Sequence, residues 1–252
     1  MEEVNKYLLE TMNTYSSNGQ TWSGTEEYLY TEDNRLKQFD FNENIEIQYK
    51  SNGDINQIIH LVHPDNYGTY TYRINYDSNN LPVSGTRRYS YSPSSKESSP
   101  LRRIDSIAYK TVNREVTGIK FFDRKEYNMW TGALFSSSID TSSRYVIQYL
   151  AGNVQNIKFS DQYGKTNEQE FTYGTKKGVL SAARLKFFLD PLAPVRLYAS
   201  NVLLKHKITV LNDNSVKETN YDYTYDKEGY PLTSRVSGSG VQYNYSQMFK
   251  YK

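Results

Sequence analysis

The chain has 252 residues, a formal net charge of +2, no cysteine, three histidines and 25 tyrosines. Without cysteine there is no disulfide scaffold, iron–sulfur cluster or thiol nucleophile, and a charge near zero gives no drive toward nucleic acid. No apolar run reaches the ~18–20 residues of a membrane helix, and aromatics at 15% are too many for a disordered chain.

From the start of the chain, Val4, Tyr7, Leu8 and Met12 stand at helical spacing. They predict a short amphipathic helix over about 2–12, within an N-terminal tail or short helix covering 1–20. No basic segment followed by an apolar core opens the sequence, so no signal peptide is read there. Ser16 to Gly24 is rich in Ser, Asn and Gly and reads as loop.

From residue 21 a pattern recurs: an aromatic residue or Ile, any residue, Tyr, three residues, then Gly or Asn. It occurs at Tyr28/Tyr30/Asn34, Ile47/Tyr49/Gly53, Ile74/Tyr76/Asn80, Ile107/Tyr109/Asn113, Ile147/Tyr149/Asn153 and Tyr223/Tyr225/Gly229. Phe171/Tyr173/Gly178 is a copy with an extra residue. Composition alone would give roughly 0.7 strict matches, so the pattern is a genuine repeat. Residues two apart share one face of a strand, and Gly or Asn tolerates the positive φ of a tight turn. Each copy therefore predicts a β-hairpin, with apolar positions resuming in the return strand, as at Ile55 and Ile58 or Val116 and Ile119. Further strands are expected at 67–72, 87–91, 203–211, 216–221 and 241–251.

Residues 92–100 (SPSSKESSP) and 136–143 (SSSIDTSS) read as exposed loops. Residues 179–190 (VLSAARLKFFLD) are the best helical candidate, ended by Pro191. The expected fold is all-β, an antiparallel meander of tandem hairpins forming a barrel-like or strongly curved sheet, with short helices at about 2–12 and 179–190. Residues 21–252 are expected to form a single domain.

The segment YTYDKEGYPLTSRV (223–236) resembles the YD-type repeat of large secreted bacterial proteins, whose units read roughly Y-x-Y-D-x-x-G. Tyr49, Tyr76 and Tyr109 hold the shared position in other copies, whereas Thr31, Lys50, Lys110 and Leu150 stand where that repeat has Asp. The chain as a whole is similar to a group of Bacteroidetes secreted lipoproteins of unknown function with a porin-like antiparallel fold. The likeness rests on the repeated hairpins, the segment KKGVLSAARLKFFLD (176–190) and the YTYDKEGYP that follows. It implies an envelope location and a lipid anchor, although the anchoring cysteine is not in this sequence. It supplies no catalytic residue.

Chemistry-bearing motifs are sparse. His60 and His63 (HLVH) would face opposite sides of a strand, and no Cys or further His is near in sequence, so no metal site is expected. His206 sits in an alternating strand and reads as structural or exposed. There is no G-x-S-x-G, and SGSG at 237–240 reads as a turn lacking the Lys of a phosphate loop. Arg87-Arg88, Arg102-Arg103 and Lys176-Lys177 read as solvated charges. The candidate ligand-binding residues are Trp22 and Trp130, since an exposed ring beside amides can stack on a sugar. The competing reading places both over an end of the sheet. No catalytic residue and no cofactor are expected. The resulting expectation is a non-enzymatic cell-envelope or surface protein binding a glycan, a peptide or a partner protein through a Tyr-rich sheet. The alternatives are a polysaccharide-acting enzyme with a carboxylate pair and an outer-membrane barrel.

Overall fold

The computed structural model describes residues 8–16, 23–40, 44–61, 68–91, 101–138, 143–161, 163–182 and 199–252. Their regular structure is all β-strand, as the alternation of Tyr, Ile and Thr with polar residues predicts. The strands are β1 (Leu9–Ser16), β2 (Ser23–Tyr30), β3 (Leu36–Asp40), β4 (Asn44–Tyr49), β5 (Ile55–Leu61), β6 (Gly68–Tyr76), β7 (Pro82–Tyr91), β8 (Leu101–Val112) and β9 (Glu115–Asn128). They continue with β10 (Leu134–Ser138), β11 (Ser143–Leu150), β12 (Asn153–Ser160), β13 (Thr166–Lys177), β14 (Asn201–Val210), β15 (Ser215–Tyr225), β16 (Pro231–Ser237) and β17 (Tyr245–Tyr251). β10 and β11 both register against β9 and occupy one strand position in succession. The antiparallel meander closes into a 16-strand barrel. β1 pairs with β2 along one edge and with β17 along the other, where Leu9 faces Tyr251 and Ser16 faces Tyr245.

The chain divides into two compact units, Met1–Phe39 with Ile147–Lys158 and Thr166–Lys252, and Asp40–Val146 with Phe159–Lys165. In the first, Tyr28, Leu36, Ile157, Leu203, Val236 and Phe249 are buried on the covered face. Glu27, Lys37, Asp222, Arg235 and Lys250 are exposed on the open one. In the second, Ile47, Ile58, Ile74, Ile107 and Phe121 are buried, and Arg73, Arg88, Lys110, Lys120 and Arg144 are exposed. The first aromatic or Ile of each repeat copy is buried, or half-buried at Tyr223, and the following Tyr is half-buried. Two of these hydroxyls reach backbone carbonyls, Tyr30 donating to Leu9 O (2.9 Å) and Tyr173 to Val154 O (2.6 Å). Burial raises both phenols above their ordinary pKa.

The repeat marks turns of defined geometry. Asn34, Gly53, Asn80, Asn113 and Gly229 all have positive φ, between 50° and 88°. At four of them a three-residue reversal closes with paired backbone bonds, such as Thr31 N–H to Arg35 O and Asn34 N–H to Thr31 O. At three of these turns the side chain after the Tyr supplies an acceptor to the loop. Asp77 Oδ1 accepts from the N–H groups of Asn79 and Leu81, Asp226 Oδ1 accepts from Tyr230 N–H, and Thr31 Oγ1 replaces that carboxylate for Arg35 N–H. Asn153 departs from the expectation. Ala151 and Gly152 make the tight turn instead (φ 50° and 79°), a two-residue reversal with both φ positive. Asn153 opens β12, buried, its Oδ1 accepting from Ser200 N–H (2.8 Å). Gly178 is no tight reversal either. It abuts the Ala199 carbonyl where a Cβ would collide, and its N–H donates to Ser200 O.

The helix expected over 2–12 is overturned from Leu9 onward, where β1 runs. The reason is a β-bulge between Leu9 and Thr11, which adds one residue and places Leu9 and Met12 on the same covered face (0% and 1% exposed). The same spacing of three recurs where return strands leave their turns: Leu36 and Phe39, Ile55 and Ile58, Val116 and Ile119 are all buried, each beside a register shift. A bulged strand thus imitates helical periodicity. Ser136–Ser138, expected as loop, lie in β10 opposite Glu126, Lys125 and Arg124, because the long β9 supplies a partner that local composition does not announce. The strand expected from Val241 begins at Tyr245. Of the expected helix 179–190, residues 179–182 form turns, and 183–190 lie outside the described residues.

Candidate functional site

Trp22 lies outside the described residues. Trp130 is 67% exposed, in the turn between β9 and β10. Met129, Leu134 and Phe135, at 41%, 55% and 78%, are exposed on the same hairpin end. Asn128 Oδ1 accepts from the N–H groups of Trp130 (2.9 Å) and Thr131 (3.1 Å). Trp130 thus stands on an apolar hairpin tip whose backbone is bonded to Asn128. His60 occupies a register position in β5 opposite Ile45 and Tyr70, and His63 lies outside the described residues. His206 packs its ring on Phe171 (centroids 4.7 Å apart) and bonds Gln169 Oε1 through Nε2 (2.8 Å), a structural role. Among the described residues no three His, Asp or Glu gather as metal ligands, and no helix is long and apolar enough to cross a membrane.

The densest electrostatic feature is a buried ion cluster in β7–β9 that local sequence did not reveal. Asp105 is 1% exposed and sits where β8 and β9 slip register between Ile104 and Ser106. Its Oδ2 accepts from Arg87 Nε (3.0 Å) and Nη2 (2.8 Å), and its Oδ1 from Arg124 Nε (2.8 Å). Arg103 Nε lies 3.7 Å away and is buried without a hydrogen-bond partner. Aromatic faces complete the cage, with the Arg87 guanidinium 4.1 Å from the Phe121 ring and Arg103 5.4 Å from Tyr89. Gly68 leaves room for the Tyr89 ring, which a Cβ would meet at 2.6 Å, and Tyr89 stacks on Tyr70 with centroids 4.6 Å apart. Burial alone would raise the Asp105 pKa, but the Arg87 charge and the bonds from Arg124 and Arg87 outweigh it and hold the carboxyl below its usual range. With both oxygens engaged by guanidinium groups, Asp105 is an anchor rather than a general acid or base.

A groove of about 580 Å³ opens on β1 and β15–β17. Cross-strand register lines up Tyr15, Ser246, Arg235 and Asp222 in one row. The next row is Asn13, Met248, Thr233 and Thr224, where the two threonine hydroxyls bond each other at 2.7 Å. Tyr15 is 39% exposed. A ring flanked by hydroxyls, a carboxylate and a guanidinium suits a polar, partly flat ligand. Among the described residues Asp222 is the single carboxylate of the groove lining, whereas glycoside hydrolysis requires a facing pair. Sequence patterning could not find this groove, because its residues come from four strands whose adjacency depends on the closure of β1 onto β17.

The fold is similar to that of a porin-like protein from Bacteroides vulgatus ATCC 8482, at 10% sequence identity and a TM-score of 0.56, over 98% of this chain and 99% of that one. A porin-like protein from Bacteroides uniformis ATCC 8492 is 14% identical with a TM-score of 0.49, over 98% of both chains. No family model and no curated protein matches the chain. At such identities the likeness concerns the fold.

Proposed function

We propose that this chain is a non-enzymatic cell-envelope protein, a single-domain barrel that stays outside the hydrocarbon layer and binds a glycan or peptide on the open face of β1 and β15–β17. The observation that carries this reading is the distribution of charge over the strands. Arg73, Lys120, Asp222, Arg235 and Lys250 stand exposed within strands, while the covered faces hold Ile, Tyr, Phe and Leu. A lipid-embedded barrel needs an apolar exposed band, and an Arg or Lys at the bilayer midplane costs about 2–4 kcal/mol. Porin-like neighbours support an envelope location through the fold alone. A lipid anchor, implied by the family likeness, is compatible with this reading.

Purification without detergent tests the non-spanning part. A monodisperse species in size-exclusion chromatography with light scattering is expected, and a strict requirement for detergent overturns it. A glycan and peptide array tests the ligand. Hits that vanish in Tyr15→Ala and Arg235→Ala support the groove, and a wild-type protein with no hit above background defeats it.

A further inference from the structure

The hairpin that carries Trp130 points to a second surface. We infer that the β9–β10 tip docks peripherally on an anionic lipid bilayer, with Trp130 and Phe135 entering the headgroup region. This rests on the reading that the barrel itself does not span the membrane.

Two independent features carry the inference. The first is that the tip is apolar outside and internally satisfied within. Trp130 and Phe135 are 67% and 78% exposed, far beyond what scattered surface hydrophobics require. The backbone beneath them is bonded to itself. Asn128 N–H donates to Ala133 O (3.0 Å), Gly132 N–H to Asn128 O (2.9 Å), and Ala133 N–H to Thr131 Oγ1 (3.2 Å). With the two bonds to Asn128 Oδ1, every N–H group of residues 130–133 has an acceptor. A self-bonded backbone lowers the cost of moving the tip toward the acyl boundary, where polar partners are fewer. Gly132 at φ 69° permits the reversal.

The second feature is charge. On the open face just behind the tip, register sets Arg88 opposite Ile104 and Ile104 opposite Lys125, and sets Arg102 opposite Tyr127. Arg102 lies over the Tyr127 ring at 4.9 Å. The acidic neighbours are already engaged, Asp123 with Lys125 (3.3 Å) and Glu126 as acceptor from the Ser136 hydroxyl (3.0 Å). An aromatic tip followed by a basic band matches the order of layers at a negatively charged bilayer, acyl boundary first and phosphate level behind it. A protein groove would satisfy the apolar tip but gives no reason for cations immediately behind it.

Co-sedimentation of the full chain with phosphatidylglycerol/phosphatidylcholine vesicles, against phosphatidylcholine alone, tests the inference. Salt-sensitive partitioning to the anionic vesicles is expected. Trp130→Ser/Phe135→Ser should weaken it by about tenfold or more, and Arg102→Gln/Lys125→Gln should abolish the anionic preference. The tip pair is largely exposed and the basic pair half-buried, so unchanged circular dichroism is required to verify folding of both variants. No partitioning by wild-type protein, equal affinity for both vesicle types, or indifference to the tip substitutions overturns the inference. So does a tip that binds a protein partner while the protein ignores vesicles. Vesicle-bound protein that resists release by concentrated salt contradicts the non-spanning reading itself, whereas soluble protein that never sediments defeats the docking alone.

Discussion

The two units bury polar groups on their covered faces by opposite means. In residues 40–146 the covered face holds a carboxylate, Asp105, gripped by Arg87 and Arg124 with Arg103 close by. In the other unit the covered face between β16, β17 and β1 holds neutral groups. Ser234 donates to Gln247 Oε1 (3.1 Å), and the Gln247 amide donates to Met12 Sδ (3.2 Å), with Ser234 and Gln247 at 2% and 5% exposure. The neutral ladder pays little desolvation and asks little of geometry. The ionic node is costly to remove from water, and breaking one side of it strands the others. The lesson is that the same sheet face can be held by interactions of very different fragility, and that only one of them is tied to protonation.

Substitution of single partners gives the largest test of that contrast. Asp105→Ala should cost about 3–5 kcal/mol in urea unfolding, because Arg87 and Arg124 are left largely buried and unpaired. Gln247→Leu should cost about 1–3 kcal/mol, the penalty for an unsatisfied Ser234 hydroxyl. Equal losses would break the comparison. Acid sharpens it further. The Asp105 carboxyl has a folded pKa depressed below its unfolded value of ~3.9. Its contribution is therefore complete above roughly pH 4 and is lost as pH falls through the folded value. Urea midpoints recorded down that range should fall more steeply for wild type than for Asp105→Asn, while Gln247→Leu keeps the wild-type slope. The smallest effect should come from the third arginine. Arg103→Met is expected to change stability by less than about 1 kcal/mol, and Arg124→Met by more, since Arg124 hydrogen-bonds the carboxylate whereas Arg103 stands 3.7 Å away.

Local patterning revealed the hairpins because their cause is local: a residue tolerant of positive φ at Asn34, Gly53, Asn80, Asn113 and Gly229, preceded by a ring that covers the sheet. A bulge removes that local correspondence between spacing and structure. Leu8 and Met12 suggested a helix, yet the register slip beside Leu9 is decided by pairing with β17, a partner distant in sequence. The residue type of Asn153 suits a turn, but the adjacent Gly152 suits it better and takes the positive φ. The ion cluster escaped notice because Arg87, Asp105 and Arg124 are spaced 18 and 19 residues apart and meet only across strands. Arg87-Arg88 looked like a solvated pair. In the structure the two alternate, one half-buried against Asp105 and one exposed.

The pairing of Leu9 with Tyr251 carries a consequence for biogenesis. A ribosome releases β1 well before β17, so one flank of β1 keeps its amides unmated until β17 emerges. Such a seam is the slowest junction to zip, by virtue of its sequence separation, and the stickiest until it does. Yield in a cell thus depends on keeping that ribbon unoccupied until its mate arrives.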